Sequence, residues 1–144
     1  MSFVNSKLLI TSFVLFLAGC ASLNSNNSLY EHYDKFKADT NAETIINKAP
    51  LYFSERLLGE HYKDDPDAPD QLLFYKVMSQ EKSVYELLND ALGCLVVNGF
   101  NDRHNPITFE LTYAQSDHDF KIDKIHTYYH ESANEFLLKA ECAQ

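Results

Sequence analysis

The sequence predicts one α+β domain behind a short apolar leader, and three observations carry that prediction. Four Ser/Thr-x-x-Glu signatures mark helix starts at Ser28, Thr40, Ser83 and Ser132. The apolar period changes from helical to alternating after Gly93. The first nineteen residues have a single charge, Lys7, in a chain with 12 basic and 21 acidic residues. The predicted organisation is a leader over 1–19, a flexible link over 20–28, and a single domain over 29–144. In that domain N-terminal helices pack on a C-terminal antiparallel sheet.

The leader is read first. Lys7 precedes the apolar run at residues 8–18 (LLITSFVLFLA). Eleven residues fall short of the roughly 20 that a membrane-spanning helix needs. A basic start, a short apolar stretch and small residues before a break describe a secretory signal. The break reads Leu17-Ala18-Gly19-Cys20 and resembles the bacterial lipobox. That resemblance implies cleavage between Gly19 and Cys20, with a diacylglyceryl thioether on the Cys20 sulfur. It also implies attachment to a membrane through acyl chains of the palmitate kind. One acyl chain holds a protein only marginally, whereas two or more hold it durably. Ala21, where an Asp would favour retention at the inner membrane, resembles the pattern of an outer-membrane lipoprotein facing the periplasm.

Residues 21–28 (ASLNSNNS) read as a flexible tether with a typical span of ~15 Å. Loss of Lys7 with the leader takes the formal charge from −9 to −10. An acidic domain is repelled by an anionic leaflet within a screening length of roughly 8–10 Å. The Lys and Arg residues form no cluster, which argues against nucleic acid as a partner.

In the domain, Ser28 with Glu31 opens a helix burying Leu29, Tyr33 and Phe36. Thr40 with Glu43 opens a shorter one that carries Ile45 and Ile46 and stops near Pro50. Residues 51–58 continue as helix to Gly59. Ser83 with Glu86 opens the most regular predicted helix, with Val84, Leu87, Leu88, Ala91 and Leu92 on one stripe and Gly93 as terminator. Residues 71–78 (QLLFYKVM) fit both periods and carry no assignment. Soft segments are 63–70 and 101–106.

Beyond Gly93, residues 94–100 (CLVVNGF) read as a strand. Ile107, Phe109, Leu111 and Tyr113 alternate with polar residues as a second. A polar turn, Ser116-Asp117-His118-Asp119, leads to a third strand over 120–129. There the three-residue spacing of Ile122 and Ile125 predicts a bulge. Residues 133–142 fit a capped helix and an alternating strand equally. Helices including LYFSERLL, followed by a hairpin of ITFELTY, a polar turn and FKIDKI, resemble the nuclear transport factor 2-like (cystatin-like) cone. Phe120 stands where members of that family often carry Trp. The resemblance implies acid/base residues inside the cone in its enzymes, such as ketosteroid isomerases and small dehydratases. By position the candidates are Tyr113, His126 and Tyr128, although no motif aligns them with a catalytic set.

With Cys20 assigned to lipid, Cys94 and Cys142 remain. An even pair in an oxidising compartment predicts a disulfide closing a loop worth ~4 kcal/mol. No Cys-x-x-Cys redox motif is present. Asp64, Asp65, Asp67 and Asp70 crowd one loop but lack the glycine and distal glutamate of a calcium loop, and read as solvated acid. His126 and His130, four apart before Glu131, lie roughly 13 Å from each other on a strand, too far for one zinc ion. No nucleophile elbow, Walker loop or dinucleotide fingerprint occurs, and the chain has four glycines in all. The expectation is therefore no metal, no cofactor and no catalysis. It is an envelope domain binding a protein partner, such as an assembly or secretion component or a toxin that it neutralises. The alternatives are a small-ligand binder or weak enzyme with a cone fold, and a structural lipoprotein without a specific client.

Overall fold

A computed structural model describes residues 28–89, 92–116 and 119–142. Gly19, Cys20 and most of the link lie outside the described residues, as do Ala91 of the expected stripe and Asp117 and His118 of the polar turn. The expected α+β architecture is present. Among the described residues four helices come first: α1 (Leu29–Asp39), α2 (Ile45–Tyr52), α3 (Glu55–Leu58) and α4 (Ala68–Leu72), followed by a 3-10 turn at Phe74–Val77. Four antiparallel strands follow in spatial order β1-β2-β3-β4. They are β1 (Gln80–Leu88), β2 (Leu92–Phe100), β3 (Pro106–Ser116) and β4 (Asp119–Tyr129). No helix among the described residues is long and apolar enough to cross a membrane.

Helix α1 forms as its sequence dictates. Ser28 caps it by accepting from the Tyr30 N–H, and Leu29, Tyr33 and Phe36 are buried. The second helix starts later than the Thr40/Glu43 pair predicts. The Thr40 hydroxyl instead donates to the Phe36 carbonyl, and Asn41 Oδ1 accepts from the Glu43 and Thr44 N–H groups. Helix α2 then runs through Pro50 to Tyr52. Proline has no N–H to return to the Ile46 carbonyl, and the Tyr62 hydroxyl donates to that oxygen at 3.4 Å. Residues 51–58 are not one helix. Phe53 makes a parallel bridge to Ile122, the Ser54 N–H bonds the Ile122 carbonyl at 2.9 Å, and Ser54 recaps the chain into α3. The 71–78 stretch divides between the end of α4 and the 3-10 turn.

The helix expected from Ser83 is a strand, and this is the main correction. Residues 80–88 pair with β2, with an irregularity at Lys82, and Gly93 lies inside β2 rather than ending a helix. Both residues of the apparent cap are spent on long-range contacts. Ser83 Oγ accepts from the Asn98 amide, and the Glu86 carboxylate accepts from the Ser28 hydroxyl and the Tyr30 N–H. Glu86 thus helps cap α1, 56 residues away in sequence. The expected third-strand bulge is present: Thr112 faces Lys124 while Tyr113 faces Ile122, which leaves Asp123 as the extra residue.

One face of the sheet carries the core. Leu95, Val97, Ile107, Phe109, Leu111, Tyr113 and Ile122 meet Leu29, Tyr33, Phe36, Ile45, Ala49, Tyr52 and Phe53 from the helical side. Aromatic rings fill the layer. Phe36 stacks on Phe74 at 5.9 Å between centroids, and Phe74 meets Phe109 edge-on at 5.1 Å. On the opposite face Cys94, Val96, Asn98 and Thr108 are also buried, although no helix of the described residues lies there. The C-terminal segment covers them. Residues 133–142 form neither of the expected elements, only a 3-10 turn at Ala133–Glu135 that Ser132 caps, followed by an extended strap. Asn98 donates to the Leu137 carbonyl at 2.7 Å, Phe136 packs on Phe100, and Cys142 is disulfide-bonded to Cys94.

Candidate functional site

The two cysteines predicted to pair do so, 48 residues apart. The sites given as candidates by the cone resemblance do not come together. Tyr113 points into the helix-covered core and is fully buried. His126 and Tyr128 pair with Glu110 and Thr108 on β3, residues of the opposite, strap-side face. Burial raises the Tyr113 phenol far above its ordinary range. Its hydroxyl and His32 Nδ1 have no hydrogen-bond partner among the described residues. Their rings meet edge-on at 5.4 Å, and Tyr52 meets His32 from another side at 5.5 Å. Burial also lowers the His32 pKa, so the ring is held neutral. Tyr52 is pushed up to about 12 by burial and by donating to Asp39 at 2.7 Å. Among the described residues the contacts of His32 and Tyr113 are therefore ring packing, without a polar partner for either group.

The polar arrangement with the most connections lies where the strap leaves the second face of the sheet open. Antiparallel pairing sets His126 opposite Glu110 and Tyr128 opposite Thr108. The Tyr128 hydroxyl donates to Glu110 Oε2 at 2.8 Å, and His126 Nδ1 lies 3.7 Å from the same oxygen. The bond to Glu110 is the main cause that raises the Tyr128 pKa, with burial second. His130 stacks beside Tyr128, sits 2.8 Å from Thr108 Oγ1, and approaches Glu135 at 3.6 Å. Glu135, read as half of a helix cap, lies instead beside a histidine. Sequence reasoning missed Glu110 as the centre of this group. Its only signal was the alternation that put it on the polar face of the strand.

Strand β4 is an edge of the sheet. Near its start the chain at Phe53 and Ser54 covers it, and the bulged Asp123 takes the Ser54 hydroxyl at 2.6 Å and the Arg56 guanidinium. From Lys124 to Tyr129 no described element pairs with its outer side. Tyr128 and Tyr129 are exposed there, Tyr129 by 68%. An unprotected edge with large amphipathic side chains offers both backbone hydrogen bonds and contact area to another chain.

Grooves among the described residues lie beside the core. One, of about 570 Å³, is bordered by Pro50, Phe53, Glu55, Arg56, Tyr62 and Lys121 and is open to solvent. A second, of about 290 Å³, runs between Leu57, His61, Tyr62 and Leu72. Asp64, Asp65, Asp67 and Asp70 are exposed on the segment before and into α4. Asp65 is engaged in a local turn with the Asp67 N–H. Among the described residues no group of His, Cys, Asp or Glu is arranged to hold a metal ion. Comparison of the chain with models of protein families, with curated proteins and with solved structures finds no match.

Proposed function

We propose that this chain is a lipid-anchored protein of the bacterial envelope, best described by what it holds rather than what it converts: its domain binds a protein partner along β4. The supporting observation is the free edge from Lys124 to Tyr129, flanked by exposed Tyr128 and Tyr129 and by the Glu110, His126 and His130 group. Tyrosine gives a large contact area with a polar tip and little side-chain entropy to lose. The Cys94–Cys142 disulfide supports the export on which the reading depends, because such bonds persist in oxidising compartments. Cys20 carries the acyl chains, and the outer membrane facing the periplasm is the proposed location.

The test places a photoreactive amino acid at Thr127 or Tyr129 and, as a comparison, at Asp64 on the acidic segment. Illumination of intact cells is expected to give one discrete adduct from β4 and none from position 64. Equal diffuse adducts at all three positions would refute the assignment of the partner to this edge. A second reading, small-ligand binding, rests on the groove of about 570 Å³, which falls within the size range of ligand sites. Its lining combines apolar Pro50, Phe53 and Leu58 with charges of both signs on Glu55, Glu60 and Lys121.

A further inference from the structure

The hairpin joining β1 to β2 exposes three leucines within six residues. Leu87 and Leu88 are each 46% exposed and Leu92 is 38% exposed. The turn sequence itself is polar, Asn89-Asp90, and isolated exposed leucines need no explanation, but three flanking one turn mark a contact surface. The described residues on either side of the turn bond to each other. The Asn89 N–H bonds the Leu92 carbonyl at 3.0 Å, and Asn89 Oδ1 accepts from the Leu92 N–H at 2.8 Å.

The place of this tip identifies what it meets. The described chain begins at Ser28, whose hydroxyl donates to Glu86 at 2.9 Å, immediately before the leucines. Leu29 packs against Gly93 so closely that a Cβ on that glycine would come within 2.7 Å of a Leu29 methyl carbon. The start of α1 is therefore clamped to the base of the tip, and the eight residues back to Cys20 must leave from there. Three strand residues carry the chain from Glu86 to Asn89, about 10 Å at the usual rise. The tether spans ~15 Å on average. Anchor and leucines thus reach one surface together.

We propose that the leucines of the β1–β2 tip insert into the lipid surface to which Cys20 is attached, so that the domain rests on the bilayer in one orientation. The inference rests on the lipid-anchor reading and extends it. An amphipathic element held at an interface gains from burying its apolar side chains at the headgroup boundary. The opposite end of the sheet, where Gln80 faces Phe100 beside Val77 and Met78, then points away from the membrane. The strap-side face and β4 are left accessible from the side.

The chain contains no tryptophan, so one introduced indole reports its own surroundings. The acylated full-length mature protein is prepared with Leu88→Trp, with Leu92→Trp, or with Val77→Trp. Val77 is 44% exposed at the far end and serves as the comparison. Each is reconstituted into phosphatidylcholine vesicles with and without brominated acyl chains. The expected result is blue-shifted emission from both tip variants and loss of most of it with brominated lipid, while the position 77 signal is unchanged. Vesicle-bound protein whose tip indoles emit as in water overturns the insertion but leaves the anchor standing. A blue shift that brominated lipid does not quench, and that grows with protein density, assigns the tip to a second copy and also overturns it. Protein that carries no acyl group and stays off the vesicles overturns the anchor reading itself.

Discussion

Removing the disulfide by Cys94→Ala with Cys142→Ala tests whether the strap is a structural part of the domain. The two cysteines are 48 residues apart. Cross-linking a loop of that length removes about 14 cal/mol/K of chain entropy from the unfolded state, or ~4 kcal/mol at room temperature. A domain of this size is stable by ~5–15 kcal/mol in total, so the variant retains a fold with a narrow margin. The strap keeps the contacts of Leu137 with Asn98 and of Phe136 with Phe100. Urea unfolding followed by circular dichroism is the assay. With a slope near 2 kcal/mol per molar, the midpoint is expected to fall by ~2 M. Reductant is expected to bring the parent down to the variant and leave the variant unchanged. Parent and variant unfolding within ~0.5 kcal/mol of each other, with the parent shown to be oxidised, would refute the reasoning.

Four further outcomes follow from the same structure. Gly99→Ala is expected to cost ~2–3 kcal/mol in urea unfolding, because its Cβ would lie 2.2 Å from the Gln80 carbonyl and 2.6 Å from the Met78 sulfur. Gly59→Ala, at φ +69 in open space, is expected to cost only ~1 kcal/mol. Asn98→Ala removes a buried amide bonded to Ser83, Leu137 and Thr108, and is expected to cost ~2–3 kcal/mol and to speed hydrogen exchange in the strap. His32→Phe keeps the ring contacts and removes the proton site. Because burial holds the His32 pKa below its unfolded value of about 6.5, the contribution is complete above that pH and declines as pH falls through it. Urea midpoints at about pH 7.5 and 5.5 should therefore converge more in the variant than in the parent.

Local rules were legible where local contacts decide the structure. Ser28 and the Leu29, Tyr33 and Phe36 stripe give α1 because the cap and the buried face belong to one segment. The spacing of Ile122 and Ile125 exposes the bulge because strand parity cannot otherwise keep both toward the helices. The β1 segment fails for the opposite reason. Its Ser83 and Glu86 have helix-cap spacing, but their partners, Asn98 and Ser28, are distant in sequence. Its leucines fall on a helical stripe, yet Leu87, Leu88 and Leu92 stay exposed at a hairpin tip and feel no helical packing. The strap was ambiguous because its burial comes from covering the second face of the sheet, which no local period encodes. Pairing Cys94 with Cys142 was legible by counting alone. Glu110 as the hub for Tyr128 and His126 needed the β3–β4 register.

The decisive measurement is the intact mass of the protein isolated from the membranes of its own cells, with and without reduction. The account predicts a polypeptide starting at Cys20, heavier than its sequence by a diacylglyceryl group and any N-acyl chain, and gaining two protons' worth of mass on reduction. A species that retains Met1, carries no acyl group and is unchanged by reductant would contradict it.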